Sequence, residues 1–198
     1  MRRLQLALWL AGIVLFTAAA GASAAPFAYI TNEGNPYVSN DVSILDIVTN
    51  TVVATVPAVG RYPEGVAVTP DGSHVYVGTE YDNSVTVIAT ATNTVVAKVP
   101  VGLNPVGVAV TPDGARVYVA NYSENTVSVI ATATNTVVAT VPVGIHPQGV
   151  ALTPDGTRVY VANNGSNTLS VIATATNLVV ATVNVGTGPV AFGKFIGP

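Results

Sequence analysis

One 42-residue pattern occurs three times without interruption, over residues 61–102, 103–144 and 145–186. A chain built this way must fold as a stack of equivalent units, so the unit decides the architecture. In the middle copy, Val108 to Thr111, Val117 to Ala120, Thr126 to Ile130 and Val137 to Val141 are short runs of Val, Ile, Thr and Tyr, each the composition of a strand. Thr111-Pro112-Asp113-Gly114 joins the first two. Proline presets the second position of a type I turn and glycine accepts the left-handed residue that follows. The remaining connections, Asn121 to Asn125 and Ala131 to Asn135, have hairpin length. Each repeat is therefore predicted to be a four-stranded antiparallel meander.

Such a sheet carries Val108, Val110, Val117, Val119, Val127 and Val129, and so is apolar on both faces. Left in water, those faces would cost about 25 cal/mol for every Å² exposed, so the sheet must stack on its own copies. Four strands per repeat of this length predict a β-propeller, whose blades radiate from an axis and pack face to face. Ala67, Ala109 and Ala151, third along each opening strand, are small enough for the converging inner ends of the blades.

The two ends of the chain read as parts of one further blade. Phe27 to Asn32 matches the second strand of the unit, and Pro189 to Ile196 aligns with an opening strand that has no repeat of its own. The expected domain is thus residues 25–198, with one blade split between 25–60 and 187–198. The C-terminal strand would pair with the N-terminal blade and close a four-bladed monomer, which removes a sheet edge. Two other arrangements fit the same repeats: an eight-bladed ring made by two chains, and an incomplete arc with exposed blade faces.

Residues 1–24 combine Met1-Arg2-Arg3, an apolar stretch from Leu4 to Phe16, and Ala22-Ser23-Ala24. These are the three regions of a secretory signal peptide, with cleavage expected after Ala24. The mature chain would then be soluble and secreted, periplasmic or at the cell surface, with no membrane span. The formal charge is −3, and removing Arg2 and Arg3 takes it to −5, which argues against a nucleic-acid partner. Cysteine is absent, so disulfides and thiolate metal sites are excluded.

Ala28-Tyr29-Ile30-Thr31-Asn32, Tyr118-Val119-Ala120-Asn121 and Tyr160-Val161-Ala162-Asn163 occur together with Thr-Pro-Asp-Gly at 69, 111 and 153. In that combination the chain resembles the YVTN-family β-propeller repeat. The resemblance implies a bacterial or archaeal exported or surface protein. It also marks two departures: family domains more often have seven blades, and the family's Asp after the third strand survives here only as Asp46, with Ala89, Ala131 and Ala173 at the other positions.

Units 103–144 and 145–186 differ at 11 positions, and six of the differences fall in the linker between blades or in the loop joining the second and third strands. Meander geometry puts both segments at one end of the ring, so that face is diverse and the opposite face uniform. Loops on a rigid scaffold carry recognition, so a binding site is expected on the diverse face. From the linkers its candidates are Arg61, Tyr62, Glu64, Asn104, His146 and Gln148. From the loops they are Glu33, Asn35, Tyr37, Glu80, Tyr81, Asp82, Tyr122, Glu124 and Asn164.

No metal site or cofactor is expected, because the two histidines, His74 and His146, are nearly two repeats apart. Ser84, Ser128 and Ser170 are read as recurring at one scaffold position, which fits packing and not nucleophilic attack. Asn121-Tyr122-Ser123 and Asn164-Gly165-Ser166 fit the glycosylation pattern. The function expected is non-catalytic: binding of a protein or glycan, or a structural role at the cell surface, through the loop-rich face. The alternative is a propeller-type hydrolase, lactonase-like, with a polar cluster at the axial mouth.

Overall fold

The structure, a computed structural model, describes residues 27–32, 40–191 and 196. The leader, Glu33, Asn35, Tyr37 and most of the expected closing strand, residues 192–195, lie outside the described residues.

Among the described residues fifteen strands form four antiparallel sheets. The first contains β1 (Phe27–Asn32), β2 (Asp41–Asp46) and β3 (Thr51–Val56). The second contains β4 (Pro63–Val68), β5 (His74–Thr79), β6 (Ser84–Ala89) and β7 (Thr94–Pro100). The third contains β8 (Pro105–Val110), β9 (Arg116–Asn121), β10 (Thr126–Ala131) and β11 (Thr136–Pro142). The fourth contains β12 (Pro147–Leu152), β13 (Arg158–Asn163), β14 (Thr168–Ala173) and β15 (Leu178–Asn184). Each is a meander in which consecutive strands pair, so each repeat is one blade.

The turns hold as their residues require. In the first Thr-Pro-Asp-Gly, Gly72 has φ +70° and donates its N–H to the Thr69 carbonyl. Thr69 Oγ1 donates to Asp71 Oδ1, which also accepts the Ser73 N–H. The turn between the third and fourth strands is held in two ways. In the first blade Asp46 Oδ1 accepts the N–H groups of Val48 and Thr49. In the others, where alanine replaces it, Thr90, Thr132 and Thr174 donate their hydroxyls to the carbonyls of Gly72, Gly114 and Gly156, and Asn93, Asn135 and Asn177 take positive φ.

Blades pack face to face through three apolar clusters. One face of a blade presents residues such as Tyr118, Val127, Val129 and Val141, and the next blade receives them with Val159, Val161 and Ile172. The same relation joins the second blade to the third and the first to the second. Tyrosine hydroxyls tie blades at the far end of these faces: Tyr76 donates to Asn135 Oδ1 and Tyr118 to Asn177 Oδ1. The inner strands approach closest at a bulge. A Cβ on Gly107 would lie 2.1 Å from the Gln148 carbonyl oxygen, and on Gly65 2.0 Å from that of Val106. Ala67, Ala109 and Ala151 line an axial cavity of about 420 Å³, with Val66, Val108 and Val150 beside them. Small residues do occupy the converging inner ends.

Ring closure is not shown by the described residues. The first sheet has three strands, and none of the three core clusters joins it to the last.

Candidate functional site

Each linker between blades is clamped by main-chain hydrogen bonds to the loops on both sides. Its last residue, Tyr62, Asn104, His146 or Gly188, has φ between 52° and 62°. The N–H of that residue donates to the side-chain carbonyl of an asparagine in the preceding blade: Asn40, Asn83, Asn125 or Asn167 respectively. Its carbonyl accepts from the following blade, with Glu80 N–H to Tyr62, Tyr122 N–H to Asn104 and Asn164 N–H to His146. The residue before it donates to a side chain of the same loop: Arg61 N–H to Asp82, Leu103 N–H to Glu124 and Ile145 N–H to Ser166. The clamp is a uniform scaffold beneath varied side chains, and it confirms that linkers and loops share one end of the molecule.

The side chains on this scaffold meet across neighbouring segments. Tyr122 and His146 stack, with ring centroids 4.4 Å apart and planes 10° from parallel. Tyr62 and Tyr81 pack at 4.3 Å with a 43° tilt. Asn104 Nδ2 donates to Glu80 Oε1 at 3.1 Å. Arg61 Nε lies 2.7 Å from Asp82 Oδ1, and its guanidinium also donates to the Tyr81 carbonyl. Burial pushes the Asp82 carboxyl up, but the hydrogen bonds from Arg61 outweigh it and hold the group below its ordinary value.

Left-handed backbone at a bulky residue is strained, costing about 1–3 kcal/mol, and asparagine or glycine would carry it more cheaply. Asn104 and Gly188 do so at two junctions, whereas Tyr62 and His146 hold aromatic rings there. The clamp fixes that backbone, so both rings stand at set positions on the rim. Tyr81 is exposed, and Tyr62, Tyr122 and His146 are half-buried.

The other candidates are placed differently. Glu124 is exposed and accepts the Leu103 N–H, and Asn164 faces the linker at Gly188. Glu64 and Gln148, expected in linkers, instead lie in the inner strands β4 and β12, half-buried, because the strand begins at the proline before them. Register also corrects the serine set. Ser84 pairs with Thr79, as Thr126 does with Asn121, whereas Ser128 and Ser170 share their position with Thr86. Asn121 is fully buried and donates to Thr126 and Ser128, so its glycosylation pattern is closed off by the fold. His74 sits at the uniform end, bonded to Ser73. Among the described residues no three His, Asp or Glu side chains come together as a metal site.

Sequence reasoning missed Asn83, Asn125 and Asn167, which hold the junction after each of the three complete blades. Their signal was present: the same asparagine precedes the third strand in each repeat, four residues after the second strand ends.

Radial four-stranded blades with an apolar axis and a varied loop rim define a β-propeller. The chain belongs to the YNCE-like beta-propeller family, whose sequence pattern matches residues 16–116 and 109–192. Among solved structures it is similar to hydrazine synthase of Kuenenia stuttgartiensis, at 28% identity and a TM-score of 0.72, over 79% of this chain and 45% of that one. It is also similar in fold to a functionally unknown protein of Desulfotomaculum acetoxidans DSM 771, at 24% identity and a TM-score of 0.60, over 74% of this chain and 53% of that one. The chain thus spans about half the length of these solved chains. No curated protein matches it.

Proposed function

We propose that this chain is an exported propeller of the YVTN-repeat type that binds a protein or glycan at the cell surface, without catalysis, through its loop-rich rim. The observation that carries the reading is the pair of aromatic contacts, Tyr122 with His146 and Tyr62 with Tyr81, each including a residue held at positive φ by the junction clamp. Rigid aromatic surfaces beside amide and carboxylate groups suit a partner with both apolar and hydroxyl or amide faces. Among the described residues the rim side chains engage their neighbours junction by junction, and the axial cavity is walled by Val, Ala, Leu and Pro with Thr153 as its one polar side chain. Both features favour binding over hydrolysis.

Immobilised bacterial surface glycans and envelope proteins, probed with the wild type and with a Tyr62→Ala/Tyr122→Ala/His146→Ala variant, test this reading. Loss of an aromatic anchor is expected to weaken binding about tenfold, roughly 1.4 kcal/mol. Equal binding by both proteins would move the site elsewhere. Turnover of lactone or ester substrates, lost in the same variant, would replace binding with hydrolysis. Export is checked by N-terminal sequencing of protein recovered outside the cytoplasm, with Ala25 expected as the first residue.

A further inference from the structure

Among the described residues two blade faces are uncovered, and they are complementary. Register identifies them. Val183 opposes Leu169 in the last blade as Val141 opposes Val127 and Val99 opposes Val85. Val99 and Val141 are 2% and 3% exposed beneath the next blade, but Val183 is 46% exposed. Ile30 opposes Ser43 in the first sheet as Val77, Val119 and Val161 oppose Thr86, Ser128 and Ser170. Those three valines are fully buried under the preceding blade, whereas Ile30 is 49% exposed. Among the described residues the last blade therefore carries a presenting face with nothing to receive it, and the first a receiving face with nothing presented.

The linker after the last blade shows the same open junction. A Cβ on Gly102 or Gly144 would strike Asn121 or Asn163 of the following blade, while one on Gly186 would meet nothing within 4 Å. Yet the chain continues as if a blade came next. Gly188 N–H donates to Asn167 Oδ1 in the usual clamp, and the Ala191 carbonyl lies against Gly149 as that of Gln148 lies against Gly107. The first sheet, for its part, has three strands among the described residues, β1, β2 and β3.

We propose that two copies of this chain join head to tail into one eight-bladed ring. The last blade of each copy covers the first blade of the other. The new interface continues the one already repeated three times inside the chain. Faces that complement each other but not themselves either close a ring or grow a filament, and two four-bladed arcs close within the known range of blade numbers.

Sedimentation equilibrium of the purified chain over a range of concentrations should give twice the 20.1 kDa chain mass. Val183→Glu and Ile30→Glu should each sediment as a monomer with an unchanged far-ultraviolet dichroism spectrum, because both side chains face solvent in a single arc. Mixing the two variants should restore a dimer, since one of its two junctions carries neither substitution. Should V183E unfold, Val183→Thr replaces it, with the dimer expected to weaken about tenfold. A wild type that stays monomeric at every concentration would mean that the chain closes on itself, and overturns the proposal. So would open-ended polymers, or a dimer that persists in both glutamate variants.

Discussion

Replacing Gly107 by alanine sets two effects of opposite sign against each other. Its φ is not positive, so the substitution restricts the unfolded chain and by that effect alone should stabilise by about 0.4–1 kcal/mol. The added Cβ, however, would lie 2.1 Å from the Gln148 carbonyl oxygen and 3.3 Å from Val150 N, both backbone atoms of the next inner strand. Ordinary contact requires roughly 1 Å more, and a gap of that size between the blades forfeits up to about half of each dispersion contact across it. Overpacking of this kind costs about 3 kcal/mol, which outweighs the entropic gain and leaves a net loss of about 2–3 kcal/mol. For a chain of this size the thermal midpoint should fall by about 5–10 °C. Gly78→Ala is the control: Ala120 and Ala162 already occupy the equivalent positions, and the nearest backbone atom is 3.2 Å away. Thermal unfolding followed by far-ultraviolet dichroism reads both. An unchanged or raised midpoint for Gly107→Ala would refute the close approach of the inner strands.

Tyr118→Phe removes the hydroxyl that reaches Asn177 across a blade junction, and should cost about 0.5–1.5 kcal/mol in urea titrations with the slope unchanged. Asn125→Gly keeps the positive φ but removes the acceptor for the His146 N–H; a loss of about 1–2 kcal/mol is expected, and Asn125→Ala, strained as well, should lose more. Stability should also depend on acid. The Thr69 hydroxyl and the Ser73 N–H lower the Asp71 pKa to about 2 in the folded chain, and Thr111 and Thr153 act in the same direction on Asp113 and Asp155. Because the folded value lies below the unfolded one, this stabilisation is complete above about pH 4 and is lost as pH falls towards 2. The thermal midpoint should therefore drop across that window, and a Thr69→Val/Thr111→Val/Thr153→Val variant should show a shallower drop.

The fold was legible because its determinants are local. Thr-Pro-Asp-Gly fixes a turn wherever it occurs, and alternating Val with small or polar residues fixes which faces must be covered. The linkers and loops could be assigned to one end from strand parity alone. What sits on that end was less legible. Tyr122 and His146 lie in different repeats, and nothing in their spacing states that the rings stack. Glu64 and Gln148 read as linker residues because a proline so often precedes a turn, whereas here Pro63 and Pro147 begin the inner strands. The repeated asparagines give no sign of their role in the sequence because they are identical across the repeats, as any scaffold residue is.

By itself, then, the sequence determined the meanders, their number and the need for each to be covered by another, since turn chemistry and hydrophobic period act over a few residues. The tertiary structure decided which side chains meet at each junction and how deeply each described strand is covered. Those outcomes depend on the angle at which one sheet lies on the next, a property of packed surfaces several strands away in sequence and written in no single repeat.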